Sequence, residues 1–354
     1  MNMIDNQSKD AIKLLKKIIK TPSFSKKEED VVKILESWFK ENGIDYKRHL
    51  NNLWAGNKYF NKKKPTILLN SHHDTVQPNK SFTIDPFYPT EKNGKIFGLG
   101  SNDAGGALVS LLYLFKSIYL SQNMNYNFII ACTAEEEIAG TNGIKSILKK
   151  IPKIDFGIIG EPTQMKLSIA ERGLIVFDAK IKGKPSHAAH ENIDNAIEKL
   201  PKILNWFNQI KFDRVSKLLG PVKTTITQIN AGFQHNVIPS EVDIVVDVRI
   251  NELYDINEIN DFFVSKCPCE IKARSLNLRP SSISSNHKIV KSADSIGIES
   301  YGSPTLSDQA LLDFPSVKIG PGNSKRSHSA DEYIYVDEVK EGIEVYKNLL
   351  NKII

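Results

Sequence analysis

Four short apolar runs constrain this chain most: TILLN from Thr66, NFIIACTA from Asn127, FGIIG from Phe156 and SVKIG from Ser316. Each is bounded by turn residues, as buried parallel strands covered by helices on both faces are. Between the first two lies GGALVSLLYLFKSIYL, where Leu108, Leu111, Leu112, Phe115 and Ile118 share one side at helical spacing. That segment reads as a crossover helix, and the fold class is α/β with a mostly parallel central sheet. Two further helices precede the sheet, one carrying Ala11, Leu15, Ile18 and Ile19 on a face, the other around KKEEDVVKILESWFKENG.

From Leu174 to Arg279 the rhythm changes. An alternating strand LIVFDAKIKG is followed by a helix with Ile193, Ile197, Leu200, Leu204 and Phe207 in a stripe, then by strands KTTITQIN and EVDIVVDVRI, a helix around INDFFVSK and a strand CEIKARSLNL. The order β-α-β-β-α-β is a ferredoxin-like α+β unit. At 354 residues the chain has room for two domains. We therefore expect residues 1–173 and 280–354 to form one domain and residues 174–279 to interrupt it.

The net charge of +6 comes from lysines scattered singly and in pairs, with no basic tract interleaved with aromatics, so nucleic acid is not an expected partner. No apolar stretch reaches bilayer length and the N-terminus lacks a signal-peptide core, which points to a cytoplasmic protein with no membrane partner. Of three cysteines, Cys267 and Cys269 stand in CPC, a spacing tight for a mutual disulfide; reduced thiols are expected.

In open α/β sheets, ligands bind beyond the carboxyl ends of the strands. The residues expected there are His72-His73-Asp74, Glu135-Glu136-Glu137, Glu161 and His328, with Asp103 added by the helix-opening segment GLGSNDAGG. Two imidazoles and several carboxylates on one edge suit a pair of divalent ions sharing a carboxylate, zinc first. In SHHDT, side chains two apart in an extended segment point the same way, so Asp74 is placed to accept the spare N–H of His72 while His73 points away. Within the glutamate triplet, one carboxylate should bind metal and a neighbour act as general base; spacing alone leaves the register open.

The motifs LLNSHHDTV, GLGSNDAGG, TAEEEIAG, IIGEPT, SHAAH, HNVIPSEVDIVVDVR and GPGNSKRSHSADEYI, in this order over nearly the whole chain, resemble the dinuclear-zinc family of acetylornithine deacetylases, succinyl-diaminopimelate desuccinylases and carboxypeptidases. The forms SHHDTV, SNDAGG and RSHSADE are most similar to acetylornithine deacetylases of the Bacteroidetes type. The resemblance implies a zinc-peptidase-like catalytic domain and two zinc ions per subunit, with cobalt or manganese as substitutes. It implies that His72 and Glu161 bind one ion and Glu137 and His328 the other, with Asp103 between them. Glu136 would be the general base and Asp74 the partner of His72. The inserted unit would serve as lid and dimerisation domain of a homodimer, with His187 reaching the other subunit's site and Asn236 and Arg249 contacting substrate. The implied reaction removes the acetyl group of N2-acetyl-L-ornithine in arginine biosynthesis. The alternatives are deacylation of acetylcitrulline, a succinyl analogue or acetyllysine, and a related dipeptidase or carboxypeptidase.

Overall fold

The computed structural model describes residues 3–353; Met1, Asn2 and Ile354, which the sequence reading counts in the first domain, lie outside the described residues. The chain forms two compact units, one of Met1–Ile169, Ser282–Tyr301 and Ser307–Ile354, the other of Ala170–Ser281 and Gly302–Leu306.

The first unit opens with helices α1 (Met3–Ile19) and α2 (Glu29–Glu41), strands β1 (Lys47–His49) and β2 (Asn52–Gly56), and the central strand β3 (Thr66–His72). Helix α3 (Gly106–Ile118) then crosses to β4 (Asn127–Thr133), and β5 (Phe156–Ile159) and β6 (Leu167–Glu171) follow. In the second unit come β7 (Gly173–Lys182), α4 (Ala196–Gln209), β8 (Lys223–Ala231), β9 (Glu241–Ile250), α5 (Ile256–Lys266) and β10 (Glu270–Ala273). The chain returns through β11 (Ser316–Lys318) and ends on α6 (Val336–Asn351).

The strand order of the large sheet runs β1-β2-β4-β3-β5-β11-β6. Its centre is parallel: β3 pairs with β4 and β5, and β11 with β5, while β1, β2 and β6 join antiparallel. All seven residues of β3 and of β4 are buried, because the sheet is covered on both sides. Ile67, Leu69 and Ile130 face a core shared with Leu15, Leu112, Phe115 and Tyr346. Leu68 and Ile129 face the other way, onto Ile144 and Ile147. This double cover aligns the carboxyl ends of β3, β4 and β5 on one rim.

The second unit is a four-stranded antiparallel sheet in the order β8-β9-β7-β10, the ferredoxin-like arrangement. Alternation explains its core: Ile175, Phe177, Ala179 and Ile181 of β7 and Val242, Ile244, Val246, Val248 and Ile250 of β9 turn inward onto Ile203, Phe207, Ile259 and Phe263. Two details differ from the sequence reading. The α4 stripe does not begin at Ile193 and Ile197, which are 99% and 43% exposed; the helix starts after its cap Asn195 and buries Ala196, Ile203 and Phe207. The second unit also takes in Gly302–Leu306, since the Arg172 N–H donates to the Ser303 carbonyl at 3.3 Å and a Cβ on Gly302 would stand 2.5 Å from the Leu218 carbonyl oxygen.

Candidate metal centre

His72 ends β3, the Glu135–Glu137 triplet follows β4, and Glu161 follows β5. His72 is buried, and its Nδ1 lies 2.9 Å from the Asp74 carbonyl oxygen. A carbonyl only accepts, so Nδ1 carries the proton and the Nε2 lone pair faces the rim. There Nε2 stands 3.4 Å from Asp103 Oδ1, 3.6 Å from Glu161 Oε1 and 3.9 Å from Glu136 Oε2. The other Asp103 oxygen, Oδ2, is 3.6 Å from Nε2 of His328, which in turn is 2.9 Å from Glu137 Oε2. Asp103 thus presents one oxygen to each imidazole.

The donor atoms of His72, Asp103 and Glu137 lie within 4.8 Å of one another, and so do those of His72, Glu136 and Glu161. Two imidazoles and four carboxylates are the nitrogen and oxygen set that divalent transition ions take. The electrostatics favour binding of a cation. Burial, with the Asp103 and Glu137 charges beside it, pushes Glu161 up to about 8. Burial and neighbouring Glu161, Asp308 and Glu137 push Glu136 well above the usual carboxylate range. His328 is held up to about 9, first by its bond to Glu137. Carboxylates crowded this closely retain protons unless a cation joins them.

Asp74 has more partners than the sequence reading gave it. Its carboxylate is 3.5 Å from His72 Nδ1, farther than its own carbonyl, and it accepts three other donors. Ser25 Oγ gives to Oδ2 at 2.7 Å, the Glu136 N–H to Oδ1 at 3.0 Å and the Glu137 N–H to Oδ2 at 3.2 Å. The carboxylate therefore fixes the turn that carries the glutamates, while its peptide carbonyl orients His72. His73 points away as expected, its Nε2 donating to the Asn51 carbonyl at 2.9 Å, and burial lowers it to about 4. Glu135, at φ 55°, accepts from the Asn142 backbone and side chain at 3.2 and 3.0 Å, which ties the far side of the turn.

His328 does not directly follow a strand. It lies in the loop after β11, at φ 57°, and three contacts place it. The Asn102 side chain accepts from the Asn323 N–H at 2.9 Å and donates to its carbonyl at 3.1 Å. Gly322, at φ 91°, permits this approach, since a Cβ there would come within 2.5 Å of Asn102 Oδ1. Asn79 donates to the His328 carbonyl at 3.2 Å, and Asp331 accepts the Thr83 N–H at 2.8 Å.

Two buried acids escaped the sequence reading. Glu332 accepts the N–H groups of Asn102 and Asp103 at 2.8 and 2.9 Å and of Gly100 at 3.2 Å, so it holds the Asp103 loop; burial raises it to about 8. Its only sequence signal is its place in SADE beside His328. Asp308 accepts from Asn70 and Thr133, both at 2.8 Å, joining the ends of β3 and β4 beneath the glutamates; burial raises it to about 6. A single acid opening a one-turn helix gives no spacing to read.

His187, Asn236 and Arg249 belong to the second unit. Ser186–His187 pairs with Val237–Ile238, and the Ala188 N–H donates to the Asn236 carbonyl at 3.0 Å, so His187 and Asn236 share one ribbon. His187 is exposed and accepts the Ala189 N–H at 3.1 Å. Asn236 Oδ1 is buried without a hydrogen-bond partner. Arg249, near the end of β9, pairs with Asp247 at 2.8 and 3.0 Å, and next to burial its charge lowers Arg172.

The family described as Peptidase family M20/M25/M40 matches residues 68–352. A succinyl-diaminopimelate desuccinylase of Wolbachia pipientis subsp. Culex pipiens (strain wPip) is 26% identical over 373 residues, covering 96% of this chain and 92% of its own. An acetylornithine deacetylase of Buchnera aphidicola subsp. Schizaphis graminum is 25% identical over 371 residues, covering 96% and 97%. Among solved structures, an M20 family metallo-carboxypeptidase from Sulfolobus solfataricus superposes with a TM-score of 0.78 at 16% identity, over 100% of both chains.

Proposed function

This chain belongs to peptidase family M20/M25/M40 and is an amide hydrolase of that metal-binding family, and from that premise we propose that it removes the acetyl group of N2-acetyl-L-ornithine to give ornithine and acetate. The observation that carries the reading is Asp103, with Oδ1 toward His72 and Oδ2 toward His328, and Glu136 alongside. In this reading His72 and Glu161 hold one divalent ion, Glu137 and His328 the second, and Asp103 both. Zinc is the first choice, with cobalt or manganese able to replace it.

Bound there, the ions supply Lewis acidity, which acidifies a water and polarises the substrate carbonyl. Glu136 takes the proton of the attacking water and delivers it to the departing nitrogen, as a carboxylate beside but outside the ligand pairs can. Asp74 keeps Glu136 in position through the backbone N–H. In the second unit, His187 and Asn236 supply donors for the oxyanion and substrate, and Arg249 exchanges its Asp247 partner for the α-carboxylate, which its planar fork fits. We place His187 in the partner subunit's reaction, within a homodimer formed through the second unit. Exposed Ile229 and Phe233 at its edge strand and the following loop support such an interface. An acetylornithine deacetylase among the relatives supports the acetyl reading.

Desuccinylases among the relatives make removal of a succinyl group the second reading. Comparing kcat/KM for acetylornithine, acetylcitrulline, acetyllysine, succinylornithine and a dipeptide decides between them. Acetylornithine should rank first; a succinyl substrate or the dipeptide ranking above it would reject the assignment. No helix among the described residues is long and apolar enough to cross a membrane.

A further inference from the structure

Cys267 and Cys269 join α5 to β10 in the second unit, and both ends of the joint are anchored. The Cys267 N–H closes the helix on the Phe263 carbonyl at 2.9 Å, and Glu270 enters the β10 ladder opposite Lys180. Cys267 leaves the helix with φ −63° and ψ 130°, the extended conformation that a residue before proline favours, and the ring of Pro268 fixes its own φ. Pro268 and Cys269 then bend the chain into β10. The two Sγ atoms lie 3.5 Å apart, half-buried against the apolar core of the unit.

We propose that Cys267 and Cys269 form a redox-active dithiol site that takes low-molecular-weight disulfides as co-reactant and closes to an intrachain disulfide. The sequence spacing alone argues against an easy bridge, but the fold has already gathered the sulfurs. They need to approach from 3.5 Å to about 2.05 Å, without a large rearrangement of the anchored backbone.

Cys267 is the attacking thiol. The hydrogen bond from Cys269 holds it below the usual thiol range, and the same contact together with burial pushes Cys269 up. The Cys267 thiolate attacks one sulfur of R–S–S–R; the S–S bond breaks and R–S⁻ leaves, taking up the proton Cys267 released. Cys269 then gives up its proton and attacks the Cys267 sulfur of the mixed disulfide, expelling the second R–S⁻, which takes that proton. Two electrons pass from the dithiol, and R–S–S–R is reduced to two R–SH.

The test is to incubate the folded, full-length protein with glutathione disulfide, quench with acid, unfold, alkylate the remaining thiols and weigh the peptides. The expected product is a peptide spanning 267–269 that has lost two hydrogens and carries no glutathione, with Cys132 alkylated. In Cys269→Ser, glutathione should instead accumulate on Cys267. The proposal is overturned if the wild-type protein accumulates the adduct without closing, or if it reacts no faster than the same chain unfolded in urea. Neither wild-type result depends on a variant folding.

Discussion

The carboxylate of Asp74 accepts the backbone N–H of Glu136 at 3.0 Å, so the position of the proposed general base is set by a residue at the end of a different strand. Asp74→Asn places an amide N–H₂ where an acceptor is needed for Ser25, Glu136 or Glu137. We expect kcat to fall roughly 10–100-fold, as for other partners that orient metal-site groups, with KM little changed. Ser25→Ala removes one donor of the set and should give a smaller loss of the same kind. Steady-state kinetics on both variants checks the order.

Glu136→Gln keeps the size of the side chain and removes its basicity. Turnover should fall about a hundred- to ten-thousandfold. Metal content measured by elemental analysis should stay near the wild-type value, because the proposed ligand pairs do not include Glu136.

Glu332→Gln keeps an oxygen for the Asn102 and Asp103 N–H groups but turns an amide N–H₂ toward the Gly100 N–H, which now gives to the other carboxyl oxygen. Leaving one buried N–H unpaired costs about 1–3 kcal/mol. A lower midpoint in urea denaturation, together with weaker metal retention in dialysis, is the expected pair of results.

In the metal-free protein, Glu161 at about 8 and His328 at about 9 both stand above their ordinary values of 4.5 and 6.5. Groups raised in the folded state contribute stability at low pH and lose it as pH climbs through the folded value. The chelator-treated protein should therefore become less stable from pH 5 to pH 9 in urea titrations. Metal must displace these protons, so its affinity should rise over the same interval, with proton release visible when calorimetry is repeated in buffers of different ionisation enthalpy.

His187 tests the partner-subunit reading. Inactive His187→Ala and inactive Glu136→Gln, mixed under conditions of proven subunit exchange, should regain part of the activity through hybrid dimers. No recovery would confine His187 to its own chain or remove it from the reaction.

What the sequence made legible follows from periodicity. The β3 and β4 runs are buried on both faces, and the rule that ligands sit past the strand ends carries His72, Glu136, Glu137 and Glu161 to one rim. Asp74 shows the limit: the i and i+2 spacing puts its carboxylate 3.5 Å from His72 Nδ1, but nothing in that spacing shows the nearer peptide carbonyl or the side chain's second task of capping the glutamate turn. His328 depends on a loop held by Asn102, Asn79 and Asp331, contacts between segments far apart in the chain that no local pattern encodes. Glu332 and Asp308 are single acids whose importance comes from burial, and burial is a property of the fold. Ile193 and Ile197 look like core at helical spacing, yet Ile193 precedes the helix, which begins only after Asn195, and Ile197 lies in its first turn on the exposed side.

The central claim is that the two imidazoles and the Asp103 carboxylate between them hold a pair of ions. Anomalous diffraction at the zinc edge from crystals grown with zinc tests it most directly. The account predicts two peaks, each about 2.0–2.2 Å from an Asp103 oxygen, one beside His72 and Glu161 and the other beside Glu137 and His328. A single peak, or peaks away from Asp103, would contradict it.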